Sequence, residues 1–232
     1  MFQKRLKKCL FTLNLNPDKY EDITNLTYPL LKKYAHKIGA EFRVIDKRKF
    51  PEWLSPTYEK CQVYEMAQEM ENDWNLFFDA DALVHPDTPD LTELVPKDTV
   101  LHNGMDFAGI RWKYDRFFQR DGRNIGSPSW LCLASDLCIE LFKPLDDLTP
   151  DEAYANIFPV HSEALKGYEP WRLIEDYVFS RNIAKYGLKF TTFHQRLLDL
   201  RFGGDYFWHQ YAMPIEEKVV HMQKQMKAWM LA

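Results

Sequence analysis

In this 232-residue chain, residues 75–84 limit the possible folds most, because an apolar run there is followed at once by two aspartates. Residues 76–78 are apolar and bounded by polar residues, which is typical of a short strand buried on both faces of a parallel sheet. Asp79 and Asp81 share a side of the chain while it stays extended. Two such charges repel unless a cation lies between them, and carboxylate oxygens suit Mg²⁺ or Mn²⁺. A metal site therefore competes with a simpler interpretation, in which one aspartate caps a helix and the other is solvated.

The segments before this strand alternate between strand and helix patterns. Residues 9–15 are mostly apolar and predict a first strand. Apolar residues at helical spacing over residues 31–38 predict a helix, with Pro29 in its first turn and Gly39 just past its end. Residues 41–46 predict a second strand. A strand–helix–strand unit of this kind normally has parallel strands joined by a right-handed crossover.

A second helix, predicted over residues 63–70, leads into the strand that carries the two aspartates. The pair should therefore lie at the carboxyl end of a strand, which is the edge where open α/β sheets bind ligands. We predict a single α/β domain in which helices flank a Rossmann-like, mostly parallel central sheet. In the rest of the chain we predict strands at 100–101, 107–110, 130–134, 188–192 and 218–221. Helices are predicted at 136–142 and from about 171 to 187. Residues 113–127 are predicted to form a mobile loop, and residues 144–170 to be irregular.

Composition excludes some classes of protein. With a formal net charge of −4, the chain offers no strongly basic surface for nucleic acid. No apolar stretch approaches the length of a membrane span, and the apolar stretch after the basic start is interrupted by Thr12 and Asn14 and has no signal-peptide cleavage site. The four cysteines have no zinc-type spacing, and three of them lie in apolar segments, where buried thiols are expected. We therefore expect a soluble cytoplasmic protein.

A longer segment around the aspartates resembles a known enzyme family. The segment is similar to the core of GT-A fold glycosyltransferases. It has a lysine-bearing helix start (residues 58–60), a hydrophobic strand, Asp-Ala-Asp (79–81) with an apolar continuation, and a closing Asp-Leu (90–91). The likeness covers roughly residues 57–95 and is greatest to the small retaining glycogenin-like and galactosyl/mannosyl families. These enzymes bind nucleotide-sugars through a metal held by an Asp-x-Asp motif.

The resemblance implies an activity and a division of the chain. The expected reaction transfers a hexose from a nucleoside-diphosphate sugar, UDP-linked by family habit, to a sugar or glycan acceptor with Mn²⁺ or Mg²⁺ as cofactor. Residues 1–95 of a single GT-A catalytic domain would form the nucleotide-sugar-binding half. Residues 96–232 would form the acceptor-binding half and supply a metal ligand from the C-terminal tail.

The resemblance also implies a set of metal ligands. Asp81 and a C-terminal histidine would bind the metal directly, and Asp79 would serve both the ribose and the metal. His221 is the first candidate for the histidine, because a predicted strand ends there and a basic-aromatic segment follows. His209 is the alternative.

Three further residues are implied as binders of the nucleotide. Lys60, at the start of its helix, would help to hold the nucleotide, although a solvated helix lysine is equally consistent with the sequence. The first strand lines the base and ribose in such folds, which nominates Thr12 and Asn14.

Two adjacent acids, Glu175 and Asp176, are candidates for catalytic residues. They lie in the first turns of a predicted helix, where the helix dipole favours negative charge, so ordinary helix-start acids are an equally good interpretation. Residues 175–181 resemble the Glu-Asp helix of many inverting GT-A enzymes, in which the aspartate deprotonates the acceptor. The longer match at residues 57–95 favours retention instead, in which Asp176 would only orient a substrate.

Two other functions fit parts of the sequence. A haloacid-dehalogenase-type phosphatase also has a hydrophobic strand that runs into Asp-x-Asp, but it requires Thr or Val two positions after the second aspartate, where this chain has Leu83. A catalytically inactive sugar-nucleotide-binding domain would keep the aspartate pair and bind metal without turnover. Release of nucleoside diphosphate from a donor distinguishes such a domain from an enzyme.

Overall fold

A computed structural model of the chain describes residues 6–103, 130–157, 173–193, 206–210 and 213–231. Within these ranges the chain forms one α/β domain built on a six-stranded sheet. The strands of this sheet are β1 (Lys8–Leu13), β2 (Ala40–Ile45), β3 (Trp74–Phe78), β5 (Thr99–His102), β6 (Leu131–Ser135) and β7 (Lys189–Thr192).

The central sheet is mostly parallel, which confirms the predicted fold class. Its strands lie in the order β2-β1-β3-β6-β5-β7. β1 pairs in parallel with β2 and β3, and β5 pairs in parallel with β7, whereas β6 runs antiparallel to both of its neighbours. A second, two-stranded sheet pairs β4 (Leu83–Val84) with β8 (Phe207–Trp208) in antiparallel fashion.

Helices connect the strands of the described residues. None of these helices combines the length with the apolar character that crossing a lipid bilayer requires. The α-helices are α1 (Glu21–Ile38), α2 (Gln62–Glu69), α3 (Pro150–Ile157), α4 (Ile174–Lys185) and α5 (Ile215–Ala228), and 3₁₀-helices span Pro56–Cys61, Leu91–Glu93 and Asp136–Phe142.

β3 lies inside the sheet, and all of its residues are buried. Phe77 belongs to a core cluster that also contains residues of α2 and α4. Leu76 and Phe78 belong to a second cluster, which contains residues of α1. Burial of both faces explains why this strand is a continuous apolar run and does not alternate with polar residues.

The first helix is longer than predicted. α1 begins at Glu21, and Pro29 lies inside it rather than in its first turn. A proline inside a helix removes one backbone hydrogen bond, but tertiary contacts hold the turns before it: the buried Thr27 hydroxyl donates to the Ala80 carbonyl at 2.6 Å. The predicted end is confirmed, because Gly39 caps the helix with a φ of 69°.

The C-terminal tail is helical where a strand was predicted. Residues 218–221 lie within α5. Val219, Met222 and Met226 recur at helical spacing and belong to a hydrophobic cluster that also contains residues of α1 and β4. The strand prediction is wrong because burial of this helical face outweighs the local strand preference of two adjacent valines.

Residues 144–170, predicted to be irregular, contain α3. A capping box begins this helix: the Thr149 N–H donates to the Glu152 carboxylate at 2.7 Å, and the Glu152 N–H donates to the Thr149 hydroxyl at 3.3 Å. The predicted strand at 107–110 and the predicted loop at 113–127 lie outside the described residues.

Candidate metal centre and active site

Asp79 and Asp81 converge because the chain turns directly after β3. The Asp79 N–H donates to the Trp130 carbonyl at 2.8 Å, which extends the pairing of β3 with β6 by one residue. The Ala82 N–H then donates to the Asp79 carbonyl at 3.0 Å and closes a tight turn. The sequence interpretation required an extended chain for the two carboxylates to share a side. The turn brings them together by a different backbone path.

The two-stranded sheet brings a histidine to this turn. β4 follows Asp81 closely and pairs with β8, and the His85 N–H extends the pairing by donating to the Tyr206 carbonyl at 2.8 Å. His209 follows β8 immediately. Its Nε2 lies 3.2 Å from Asp81 Oδ1 and 3.8 Å from Asp79 Oδ2. Residues far apart in the sequence therefore meet through a short strand pairing.

These three side chains fit a divalent cation. One ligand atom from each of Asp79, Asp81 and His209 lies within 4.8 Å of the others, and no second such group of acidic, histidine or cysteine side chains occurs in the described part of the chain. Carboxylate oxygens suit Mg²⁺ and Mn²⁺, and imidazole is a common ligand of transition metals, so the mixed set is consistent with a divalent metal. His221 is exposed on α5. His209, which was the alternative candidate, therefore lies beside the aspartates, and His221, which was the first candidate, does not.

Trp130 holds the histidine in place. Its ring stacks on the His209 imidazole with centroids 5.0 Å apart and an interplanar angle of 15°. The same ring meets Phe207 edge to face at 5.8 Å. Because its carbonyl also accepts the Asp79 N–H, Trp130 contacts two of the three potential ligands, one through its backbone and one through its ring.

We expect Trp130→Ala to weaken Mn²⁺ binding about tenfold, as loss of a group that orients a ligand typically does. Without the indole, the His209 imidazole gains rotational freedom that metal binding must then remove. Titration calorimetry with Mn²⁺ measures the affinity. Trp53→Ala is the matched control, because Trp53 is 48% exposed and contacts Tyr154 instead. An unchanged affinity in Trp130→Ala would show that the stacking does not orient His209.

Buried charges lie next to the aspartates. Lys60, in the 3₁₀-helix before α2, is 3% exposed, and its ammonium lies 2.8 Å from Asp79 Oδ1 and 2.6 Å from Glu175 Oε1. It also lies 5.1 Å from the centroid of the Phe77 ring. Lys60 is therefore not a solvated helix lysine. It links Glu175, which is also buried, to a potential metal ligand.

Burial and charge together set the protonation of this cluster. Burial opposes the charge on Lys60, but Asp79 and Glu175 outweigh it and raise the pKa of the ammonium. Burial raises the pKa of Glu175, against the opposing effect of Lys60. The negative charges of Asp176 and Asp79 add to that rise. Lys60 therefore stays charged, whereas burial disfavours the ionised form of Glu175.

Asp81 has a second basic partner besides the histidine. Lys218, near the start of α5, is 7% exposed, and its ammonium pairs with Asp81 Oδ2 while His209 contacts Oδ1. Burial alone raises the pKa of Asp81, but hydrogen bonds and charges from these two partners outweigh it and hold that pKa well below its usual range. Asp81 is therefore ionised, with a basic group at each of its oxygens.

The remaining candidates from the sequence lie at the ends of β1 and α4. Thr12, in β1, is fully buried, and its hydroxyl has no hydrogen-bond partner among the described residues. Asn14, just after β1, is buried, and its side-chain oxygen accepts from the Asn16 N–H at 3.2 Å. Asp176 is half-buried in the first turn of α4, next in sequence to Glu175.

Sequence reasoning missed the contacts made by Trp130 and Lys218. Trp130 is the first residue of the strand predicted at 130–134, but its closeness to Asp79 follows only from the order of strands, with β6 beside β3. Lys218 carries no signal in the sequence, because a lysine is almost never fully buried and is normally expected to be solvated.

Comparisons with known proteins bear on the fold. No protein-family model matches the chain, and no curated protein matches it in sequence. Among solved structures the chain is similar to one described as "Crystal structure of a glycosyltransferase involved in the glycosylation of the major capsid of PBCV-1". The TM-score is 0.54 over 94% of this chain and 99% of that one, at 13% sequence identity. At this identity the likeness concerns the architecture alone, and the mostly parallel sheet flanked by helices is consistent with a GT-A-like fold.

Proposed function

We propose that this protein is a metal-dependent glycosyltransferase that uses a nucleoside-diphosphate sugar. The observation that carries the proposal is the convergence of Asp79, Asp81 and His209 at the carboxyl end of β3 in a GT-A-like sheet. Open α/β sheets bind ligands at this edge. Departure of a nucleoside diphosphate builds negative charge, which a divalent cation offsets. The proposed donor is a UDP-linked hexose, the cofactor Mn²⁺ or Mg²⁺, and the acceptor a sugar or glycan.

The residues around the centre have distinct parts in this proposal. Asp79, Asp81 and His209 would hold the cation, which supplies positive charge beside the leaving diphosphate when it is bound. Lys60 orients Asp79 through their ion pair, and Glu175 in turn holds Lys60. Glu175 is committed to this contact, so we assign it a positioning role and not the role of a base.

The nucleotide and the acceptor are proposed to bind to different parts of the chain. Thr12 and Asn14, at the carboxyl end of β1, would contact the base and ribose within residues 1–95. Their position supports this, because open α/β sheets bind ligands at the carboxyl ends of their strands. Residues 96–232 would bind the acceptor, and Asp176 would orient the acceptor or the reacting sugar in a retaining reaction.

A panel of UDP- and GDP-linked sugars tests the function. We expect one donor to release nucleoside diphosphate in the presence of Mn²⁺, faster when the correct acceptor sugar is added, and to stop when a chelator removes the metal. The anomeric configuration of the product, read by NMR, then distinguishes retention from inversion. Nucleotide-sugar binding without release from any donor would identify a binding domain instead of an enzyme.

A further inference from the structure

The ion pair between Lys218 and Asp81 has a consequence for cation binding at the candidate centre. The ammonium of Lys218 occupies Asp81 Oδ2, while His209 Nε2 lies 3.2 Å from Oδ1. The side chain of Lys218 is only 9% exposed. Both carboxylate oxygens of Asp81 therefore have a basic partner already, one from the segment after β8 and one from α5.

A lysine ammonium and a divalent cation compete for the negative charge of this carboxylate. The ammonium has three donors and no acceptor, so it cannot become a metal ligand. Two cations that approach the same carboxylate repel each other, and the repulsion is strong where water is scarce. Asp81 is 25% exposed at its side chain, which limits screening by solvent.

The backbone of α5 is held by apolar packing, whereas the ammonium of Lys218 is held by its contact with Asp81. α5 is anchored by Met222, which is fully buried in a cluster with Ile23 of α1 and Leu83 of β4. Lysine carries its charge on a flexible four-carbon stem, so its ammonium can leave Asp81 without movement of the helix. Withdrawal of the ammonium therefore requires a change of side-chain rotamer and not a movement of the backbone.

We propose that Lys218 is an internal counter-cation of the centre, which neutralises Asp81 in the metal-free protein and must withdraw when a divalent cation binds. The contact would lower the affinity of the centre for a divalent cation below the affinity that the three ligands would have without Lys218. At low cation concentration the centre would therefore remain free of metal. The inference rests on metal binding at this centre, as the proposed function does, but it concerns the free protein and requires no turnover.

Titration of Mn²⁺ into the nucleotide-free protein tests the inference, with free Mn²⁺ followed by electron paramagnetic resonance. We expect Lys218→Gln to bind Mn²⁺ more tightly than the wild type, by roughly 5- to 150-fold, the usual range for two coupled sites. Lys218→Arg keeps the positive charge and should stay close to the wild type. Lys224→Gln is the matched control, because Lys224 is exposed on the same helix. Unchanged or weaker binding by Lys218→Gln would overturn the proposal.

A measurement on the wild-type protein gives an independent test. A withdrawn ammonium is more accessible, so an amine-acetylating reagent should modify Lys218 faster once Mn²⁺ is present, whereas Lys224 should react at the same rate with and without metal. Peptide mass spectrometry reads both sites in one sample. A rate at Lys218 that does not respond to Mn²⁺ would also overturn the proposal.

Asp81→Asn separates this inference from the proposed function. If Asp81→Asn binds Mn²⁺ as tightly as the wild type, the metal is not held at this centre, and the proposed metal-dependent activity fails with it. If Asp81→Asn loses binding while Lys218→Gln binds no tighter than the wild type, the centre stands and only the role of Lys218 fails.

Discussion

Asp81→Asn is expected to reduce the metal-dependent release of nucleoside diphosphate by about 10²- to 10³-fold, the loss seen when one group that stabilises transition-state charge is removed. The substitution keeps the shape of the side chain but removes the negative charge that attracts a cation. It also replaces the carboxylate that lies 3.2 Å from His209 Nε2 with a neutral amide. Initial rates at saturating donor and a series of Mn²⁺ concentrations measure the effect.

Two comparisons keep this result interpretable. Asp87→Asn removes a carboxylate that is 86% exposed and lies three residues after β4, and it should retain full activity. Asp81→Asn also leaves the buried ammonium of Lys218 without its ion-pair partner, so thermal unfolding of Asp81→Asn/Lys218→Gln shows whether the loss reflects folding. Wild-type rates in Asp81→Asn would remove the metal assignment.

Lys60→Met is expected to lower the free energy of unfolding by about 3–5 kcal/mol, which is the usual cost of breaking a buried ion pair from one side. The substitution leaves Glu175 buried at 6% exposure beside Asp79, with no cation between the two carboxylates. Without the ammonium, Glu175 either stays charged in a poorly solvated site or takes up a proton, and both cost free energy. Urea denaturation followed by circular dichroism measures the change.

The reciprocal variant identifies the cause of this loss. Lys60→Met/Glu175→Leu removes both buried charges, and we expect it to recover most of the stability, because apolar replacement of a whole buried pair is often neutral. Lys189→Met is the matched control, since Lys189 is 70% exposed in its ion pair with Asp98 and such surface pairs contribute about 0–1 kcal/mol. A double variant no more stable than Lys60→Met would show that packing of the lysine stem, and not charge, is what matters.

Local patterns were sufficient for most of the sheet. The apolar run of β3, the spacing of α2 and the glycine after α1 each encode their structure within a few residues, because backbone geometry and burial on two faces select the same residue types wherever they occur. The parallel arrangement of β1, β2 and β3 then follows from chain order and the handedness of crossovers.

Some helices were readable but were misassigned. The capping box of Thr149 and Glu152 is a four-residue pattern that predicts the start of α3. The prolines of that region instead favoured the prediction of irregular chain. The spacing of Val219, Met222 and Met226 fits the helix of α5. Two valines followed by a histidine suggested a strand there, since strand propensity depends on packing that a short window does not contain.

The start of α1 was not readable in the same way. Pro29 usually marks the first turn of a helix, and the reason it sits mid-helix here is a contact with the turn after β3, where Thr27 donates to Ala80. A contact across more than fifty positions of sequence cannot be inferred from the residues around the proline.

The amino-acid order alone established a mostly parallel sheet, its acidic edge at Asp79 and Asp81, and a short set of candidate metal ligands. It left the choice between His209 and His221 open, and it gave no hint of the partners of Lys60 and Lys218. Those outcomes depend on which distant segments pair, as β4 does with β8, and on which face α5 buries. Side chains from separate segments come into contact only when the whole core has formed, so no local sequence pattern predicts these contacts.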